Sequence, residues 1–295
     1  MKVVKKENVI YDFSSQNKPI ASVKLCEDFW VETEDFYCGQ IKTEKDLRPN
    51  IDISIMFAST GPIEIENIME GDTICITIKE IILNSQGVMV TSPKLGVLGD
   101  MIYEPNTKII TIKDGYAYFS KEIKLPLTPM IGVIGVAPNG RKIHCDIPGD
   151  HGANIDTKNI KEGSKIYLPV FVNGANLAVG DLHACMGDGE LSGTGIEISG
   201  KVKLNVTKIA NTKLKMPIVE TEDEYMVIAS EKTFEDAIYK GTKYAVELLQ
   251  EFFNLNFPDA YRLLSATCDL QVSQVVNSLI TLKVVMPKIL VTKLL

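Results

Sequence analysis

The chain has no Cys-x-x-Cys pair. Its six cysteines, Cys26, Cys38, Cys75, Cys145, Cys185 and Cys268, are scattered singly through 295 residues. That argues against a zinc ribbon or a redox dithiol and fits reduced thiols in a cytoplasmic protein. Long hydrophobic runs are also missing. The longest apolar stretches, such as Tyr167 to Val172 and Val133 to Ala137, fall far short of the ~20 residues that span a bilayer, so a soluble protein with no membrane partner is expected. The basic segment Met1 to Ile10 is not followed by an apolar core and a small-residue cleavage site, so no secretory leader is expected. Positive charge is not in excess: a net charge of −7 and a pI near 5.2 weigh against nucleic acid as a partner, since affinity for phosphates needs clustered Lys and Arg.

What the chain does hold is a 45% hydrophobic composition, enough for one large domain or two ordinary ones. Up to about Thr207 the pattern is short apolar or alternating runs broken by Gly, Pro and Asn, the mark of a mainly β region. Strands are expected at Ile51 to Phe57, Thr73 to Ile82, Val88 to Thr91, Lys108 to Ile112, Ala117 to Phe119, Lys165 to Val172 and Gly195 to Val206. Hairpin turns are expected at Asp114-Gly115 and Asn139-Gly140. Ile68-Met-Glu-Gly71-Asp72-Thr-Ile74 is echoed by Ile160-Lys-Glu-Gly163-Ser164-Lys-Ile166, a pattern that a duplicated β unit or chance accounts for equally. Beyond Thr233, Phe234, Ile238, Ala245, Leu248, Leu249 and Phe252 recur at helical spacing, with Thr233 as N-cap and Gly241 a local weakness of ~1 kcal/mol. A second helix from Pro258 and a strand over Lys283 to Met286 complete an α+β C-terminal portion. The fold expected is mainly β with a C-terminal α+β portion, residues 1–207 and 208–295.

All three histidines, His144, His151 and His183, lie in one central stretch with Asp146, Asp150, Asp156, Asp181, Asp188 and Glu190. Imidazole and carboxylate are the side chains that bind hard or borderline divalent cations and move protons near neutral pH. Two glycine-rich loops, His151-Gly-Ala-Asn154-Ile-Asp156 and Gly180-Asp181-Leu-His183-Ala-Cys-Met-Gly-Asp188-Gly-Glu190, bracket the strand Ile166 to Val172. They share a site if the chain returns through Gly174, Asn176 and Gly180 as a hairpin. Asp181 and His183, two apart on an extended segment, project the same way and suit one ion.

These segments resemble the acetamidase/formamidase family. So do Thr60-Gly61-Pro62, the run Ile131-Gly-Val-Ile-Gly135-Val-Ala137-Pro138, Ile196-Glu197, Ser265, and Asp269-Leu-Gln-Val-Ser-Gln274-Val-Val-Asn277 up to Met286-Pro287-Lys288. The resemblance implies a β-sandwich or barrel-like scaffold, a divalent metal, and hydrolysis of short amides such as formamide or acetamide to a carboxylate and ammonia. The positions matching its motifs are Asp35, His151, Asn154, Asp156, Asp181, His183, Asp188, Glu190 and Glu197. One departure bears on the pocket, since Phe57 stands where the family usually has Asn.

The expected mechanism is a metal-activated water, with His151, Asp156, Asp181, His183, Asp35 and Glu197 as metal ligands. Glu190 is read as general base and acid, Asn154 as an oxyanion donor, and Asp188 as a further catalytic carboxylate. Zinc suits the histidines; calcium or magnesium would suit the carboxylates alone. Bland readings stand beside these: Asp188 as an Asx-turn residue, Asp156 as a turn cap, Glu197 as an outward strand carboxylate. No Gly-x-Ser-x-Gly elbow is present, and Cys185 lies in an acidic loop unsuited to a thiolate. The alternatives are a non-catalytic metal-binding β protein and a metal-dependent hydrolase of another C–N or C–C bond. A homo-oligomer, most simply a dimer, is expected.

Overall fold

The structure, a computed structural model, describes residues 1–290. Nine strands form one sheet, in the order Lys2–Val4, Asp28–Thr33, Gly200–Ile209, Thr73–Leu83, Lys165–Pro169, Ile218–Glu220, Glu224–Glu231, Ile280–Pro287 and Asp269–Gln274. The second sheet runs Lys124–Pro126, Tyr116–Tyr118, Asn106–Lys113, Gln86–Thr91, Glu197–Ile198, Leu177–His183, Met130–Gly135 and Gly152–Asn154. Ser59–Ile65 branches from Leu177–His183 and pairs also with Val9–Ile10 and Ala21–Val23.

Period-two alternation stacks these sheets. Ile74, Ile76 and Ile78 enter a core shared with Ile131, Ile134 and Leu182 of the second sheet, whereas Cys75 faces the opposite side. Ile166 and Leu168 alternate with Tyr167 in the same way, and Met226 and Ile228 with Val227 and Ala229. Each fully buried Ile contributes on the order of 1.5–3 kcal/mol. The outer face of the nine-stranded sheet is covered by α1 (Phe234–Phe253) and packs with α2 (Phe257–Thr267). The result is a β-sandwich with an α+β layer built from the C-terminal portion, as expected. Among the described residues no helix is long and apolar enough to cross a membrane.

Thr233 caps α1, its Oγ1 accepting from Asp236 N at 3.1 Å. The expected apolar stripe is rotated: Phe234, Ile238 and Phe252 stay partly exposed, while Ala237, Gly241, Ala245 and Leu249 are buried. Gly241 is the point of closest approach, because a Cβ there would stand 3.1 Å from both Ala229 Cβ and Val284 Cγ2. Its low helix propensity is therefore offset by packing the helix tightly on the sheet.

Several expectations are corrected. Ile51 to Phe57 is not a strand but contains a 3-10 turn at Ile53–Ile55, because the Asp52 side chain accepts from Ser54 N and folds the segment on itself. Gly195 to Val206 is two strands: Glu197–Ile198 belongs to one sheet and Gly200–Ile209 to the other. Asp114-Gly115 makes a hairpin turn with φ of 51° and 80°, but the strands on either side of Asn139-Gly140 do not pair with each other. Strands from both expected portions share the nine-stranded sheet, Ile218–Glu220 pairing with Lys165–Pro169.

The internal echo has a structural counterpart. Gly71 and Gly163, at φ 86° and 85°, lead into the antiparallel neighbours Thr73–Leu83 and Lys165–Pro169. Gly71 N donates to Val170 O and Gly163 N to Ile78 O, at 2.8 and 2.9 Å. Val170 N returns to Asp72 O and Ile78 N to Ser164 O. The two copies thus make the same bonds to each other, as a local two-fold requires.

Candidate active site

The strand Met130–Gly135 assembles the site. It pairs on one side with Leu177–His183 and on the other with Gly152–Asn154, and so brings both loops together. The hairpin expected through Gly174 to Gly180 does not form: Lys165–Pro169 and Leu177–His183 lie in different sheets, and the chain crosses the sandwich between them. Gly132 is the floor. A Cβ there would stand 2.5 Å from Asp156 Oδ1 and 2.7 Å from Asp181 Oδ2, so only glycine leaves room for both carboxylates. Asp156, Asp181 and Glu190 all take left-handed backbone conformations, φ 39°, 55° and 50°. Such strain in residues with side chains is tolerated where the surrounding structure over-determines it.

Glu197 lies directly across from His183 in the neighbouring antiparallel strand. His183 Nε2 is 3.1 Å from Glu197 Oε2 and 3.4 Å from Asp181 Oδ1, and Asp181, His183 and Glu197 are buried. None of these three atoms has a hydrogen-bond partner. Buried polar atoms are nearly always paired, so three that converge without aligning a donor on an acceptor fit a cation held between them. One imidazole and two carboxylates are a suitable donor set for a divalent ion. A second group, Asp156, His183 and Glu190, shares the same imidazole, its ligand atoms within 4.8 Å of one another.

The electrostatics follow from burial. Burial alone would lower the His183 pKa, but the carboxylates of Glu197 and Asp181 outweigh it and hold the imidazole well above its usual value. Burial pushes Glu197 up to about 8, opposed by His183. Asp156 is pushed up to about 7 by burial and then by the charge of Asp181. Glu190 is raised well above the usual carboxylate range by burial and by Asp156. Asp156 is held by the C-terminal portion, Asn277 Nδ2 donating to its Oδ2 at 2.8 Å. With its amide oriented by these neighbours, Asn154 donates to Asp156 at 2.8 and 3.2 Å and accepts from Asn277 at 3.1 Å.

The structure therefore brings together Asp156, Asp181, His183, Glu190, Glu197 and Asn154, whose amide nitrogen is held against the Asp156 carboxylate. Three other expected site residues fall outside these two groups. His151 joins neither group; its ring packs edge-on to Phe13 at 5.4 Å, and burial, then Arg141, lowers it to about 4. Asp35 accepts from Tyr37 N and Gly39 N at 2.8 and 3.2 Å and so shapes a turn. Asp188 binds Lys283 Nζ at 2.8 Å and Lys158 Nζ at 2.9 Å, which ties the 184–190 loop to the strand Ile280–Pro287. His144 pairs with Asp146 at 2.6 Å and joins neither group.

A cavity of about 160 Å³ opens over the group, with Phe36, Tyr37, Phe57 and Leu95 among its apolar lining and Asp156, Asp181, Glu190 and Asn277 among its polar lining. Arg48, Asp146 and Ser278 also reach it. Tyr37, Arg48 and Asn277 were missed as site residues. Asn277 had a signal, since it ends the C-terminal segment that carries the resemblance; Tyr37 had only its nearness to Asp35, and Arg48 had none. Phe57, at φ 61°, takes a conformation that suits Asn better than Phe, and it stacks edge-on to Phe36 at 4.2 Å.

A sandwich that buries an imidazole and four carboxylates beside a small cavity defines a protein equipped to hold a cation and to move protons next to it. Residues 5–147 and 143–292 match the acetamidase/formamidase family, and the chain belongs to that family. It is similar to the acetamidase of Bacillus halodurans, at 40% identity and a TM-score of 0.97 over 99% of both chains. The acetamidase/formamidase predicted from Thermoanaerobacter tengcongensis is similar at 40% identity and a TM-score of 0.96, over 99% of this chain and 97% of that one. A putative formamidase of Schizosaccharomyces pombe is 28% identical over 67% of this chain, which spans 64% of that relative's length.

Proposed function

We propose that this protein hydrolyses short amides, R–CO–NH₂, to a carboxylate and ammonia in the cavity over Asp156, Asp181, His183, Glu190 and Glu197. The observation that carries the reading is a cavity of about 160 Å³ lined by the buried carboxyl pair Asp156 and Glu190 and by Asp181, a member of the group with His183 and Glu197 that could hold a cation. The relatives named acetamidase and formamidase support it.

Asp181, His183 and Glu197 are the residues that would hold a divalent ion, and their mixed imidazole and carboxylate donors favour zinc over calcium or magnesium, which prefer oxygen alone. Such an ion, when bound, supplies Lewis acidity to the carbonyl and makes a neighbouring water more acidic. Asp156 and Glu190 are buried; the charge of Asp156 raises Glu190, whereas a hydrogen bond to Glu190 lowers Asp156, which burial and Asp181 raise, so at neutral pH the pair retains one proton. The ionised member accepts a proton as water oxygen bonds to the carbonyl carbon. The protonated member delivers a proton to the amide nitrogen, the C–N bond breaks, and ammonia leaves the carboxylic product. Asn154 and Asn277 hold Asp156 in place through this exchange. Phe36, Phe57 and Leu95 give the acyl substituent an apolar wall, favouring a short alkyl group over a charged one.

Ammonia release from formamide, acetamide and longer amides, with divalent metal supplied, tests the reading. Turnover is expected, and Glu190→Gln should lower kcat by roughly 10²–10⁴-fold. No turnover across the panel would defeat the reading. Six unpaired cysteines support a reducing, cytoplasmic location, and exposed Val97, Leu98, Met101, Tyr103 and Leu191 support self-association.

A further inference from the structure

Tyr37 is fully buried, yet its hydroxyl has no hydrogen-bond partner. Buried tyrosines ordinarily find one, because desolvating a hydroxyl without compensation is costly. Tyr37 nonetheless lines the cavity over the carboxylates. Asp35 accepts from Tyr37 N at 2.8 Å and Gly39 N at 3.2 Å, locking the turn that carries the side chain, and Phe36 packs edge-on to the ring at 4.8 Å.

We propose that Tyr37 Oη donates a hydrogen bond to the carbonyl oxygen of the amide and that this bond strengthens as the oxygen gains charge in the tetrahedral intermediate. The inference rests on the amidase reading of the site. The Asn154 amide nitrogen is already engaged with the Asp156 carboxylate. Asp156, Asp181 and Glu190 in the lining are carboxylates, which accept, and Thr194 carries the lining's other buried hydroxyl without a partner. Burial, followed by the charge of Glu197, holds the phenol well above its usual pKa, so it keeps its proton and serves as a donor. Asp35 acts here as a positioning residue for Tyr37.

The test is Tyr37→Phe in the metal-loaded protein, with amide turnover, thermal midpoint and affinity for methylphosphonamidate, a tetrahedral mimic, measured beside wild type. Loss of one such donor lowers kcat by roughly 10²–10³-fold, with KM within a few fold and the mimic's affinity reduced by a comparable factor. The midpoint should stay level or rise, since the hydroxyl makes no bond within the folded chain. A raised KM with unchanged kcat, or unchanged kinetics and mimic affinity, would overturn the assignment of Tyr37 alone. An inactive wild type would overturn the amidase reading and this assignment with it.

Discussion

His183 and Glu197 face each other across adjacent antiparallel strands with Nε2 and Oε2 3.1 Å apart, and neither atom makes a hydrogen bond. The register of the Glu197–Ile198 strand sets this pairing, and Asp181 closes the group from two residues upstream of His183. A ligand that binds only the folded state stabilises it by RT ln(1 + [L]/Kd), ~2.7 kcal/mol at a hundredfold excess over Kd. Added zinc should therefore raise the thermal midpoint of the metal-stripped wild type and do so far less in Glu197→Gln. Equal shifts in the two proteins would remove Glu197 from the ligand set.

Gly132→Ala places a methyl group 2.5 Å from Asp156 Oδ1 and 2.7 Å from Asp181 Oδ2. Overpacking of this kind costs roughly 1–3 kcal/mol, and here it also pushes two carboxylates apart. Denaturant unfolding should show the loss, and metal affinity and turnover should fall together. A variant that binds metal and turns over amide normally would show that the floor is softer than the structure indicates.

Asp188 is expected to act through Lys283, whose side chain is fully buried. Asp188→Asn removes its counter-charge and should cost roughly 2–4 kcal/mol, below the full cost of breaking a buried pair because Asp188 itself is partly exposed. Lys283→Met added to Asp188→Asn should restore most of the stability and the activity. An inactive double variant that is as stable as wild type would make Asp188 a participant in the chemistry after all.

Burial lowers His151 to about 4, with Arg141 adding to it, from an unfolded value near 6.5. Between these values the unfolded chain binds the proton and the folded chain does not, so stability rises with pH. The contribution is fully present above pH 6.5 and is lost as pH falls toward 4, on the order of 3 kcal/mol in all. His151→Phe, which can keep the contact with Phe13, should flatten the pH dependence of unfolding in that window. An unchanged slope would mean that His151 titrates normally.

Much of this was legible in the chain itself. The period-two runs at Thr73–Leu83 and Asn106–Lys113, the Thr233 cap and the Asp181/His183 spacing are local features, and local features survive folding. What stayed hidden is decided between distant segments. Gly195 to Val206 reads as one strand because nothing local marks the passage between sheets. Gly200 does mark it structurally, since a Cβ there would meet Ile82 O at 2.4 Å. The two loops converge through Met130–Gly135 and not through a hairpin, a fact of strand order rather than of turn residues.

The site divides in the same way. Asp188 and Glu190 share one glycine-rich loop and look alike as carboxylates, yet Lys283, some hundred positions away, claims the first, while Asp156 and His183 surround the second. His151 has the chemistry of a ligand and the surroundings of a core residue. Tyr37 and Arg48 belong to the cavity only because the turn after Asp28–Thr33 and the 48–57 segment fold over it.

The most direct test is an anomalous-difference map from crystals of the protein grown with zinc, recorded on both sides of the zinc absorption edge. The expected result is a peak within bonding distance of His183 Nε2, Asp181 Oδ1 and Glu197 Oε2, absent in His183→Ala. A fully occupied site elsewhere, with no density between these three atoms, would contradict the assignment of the triad.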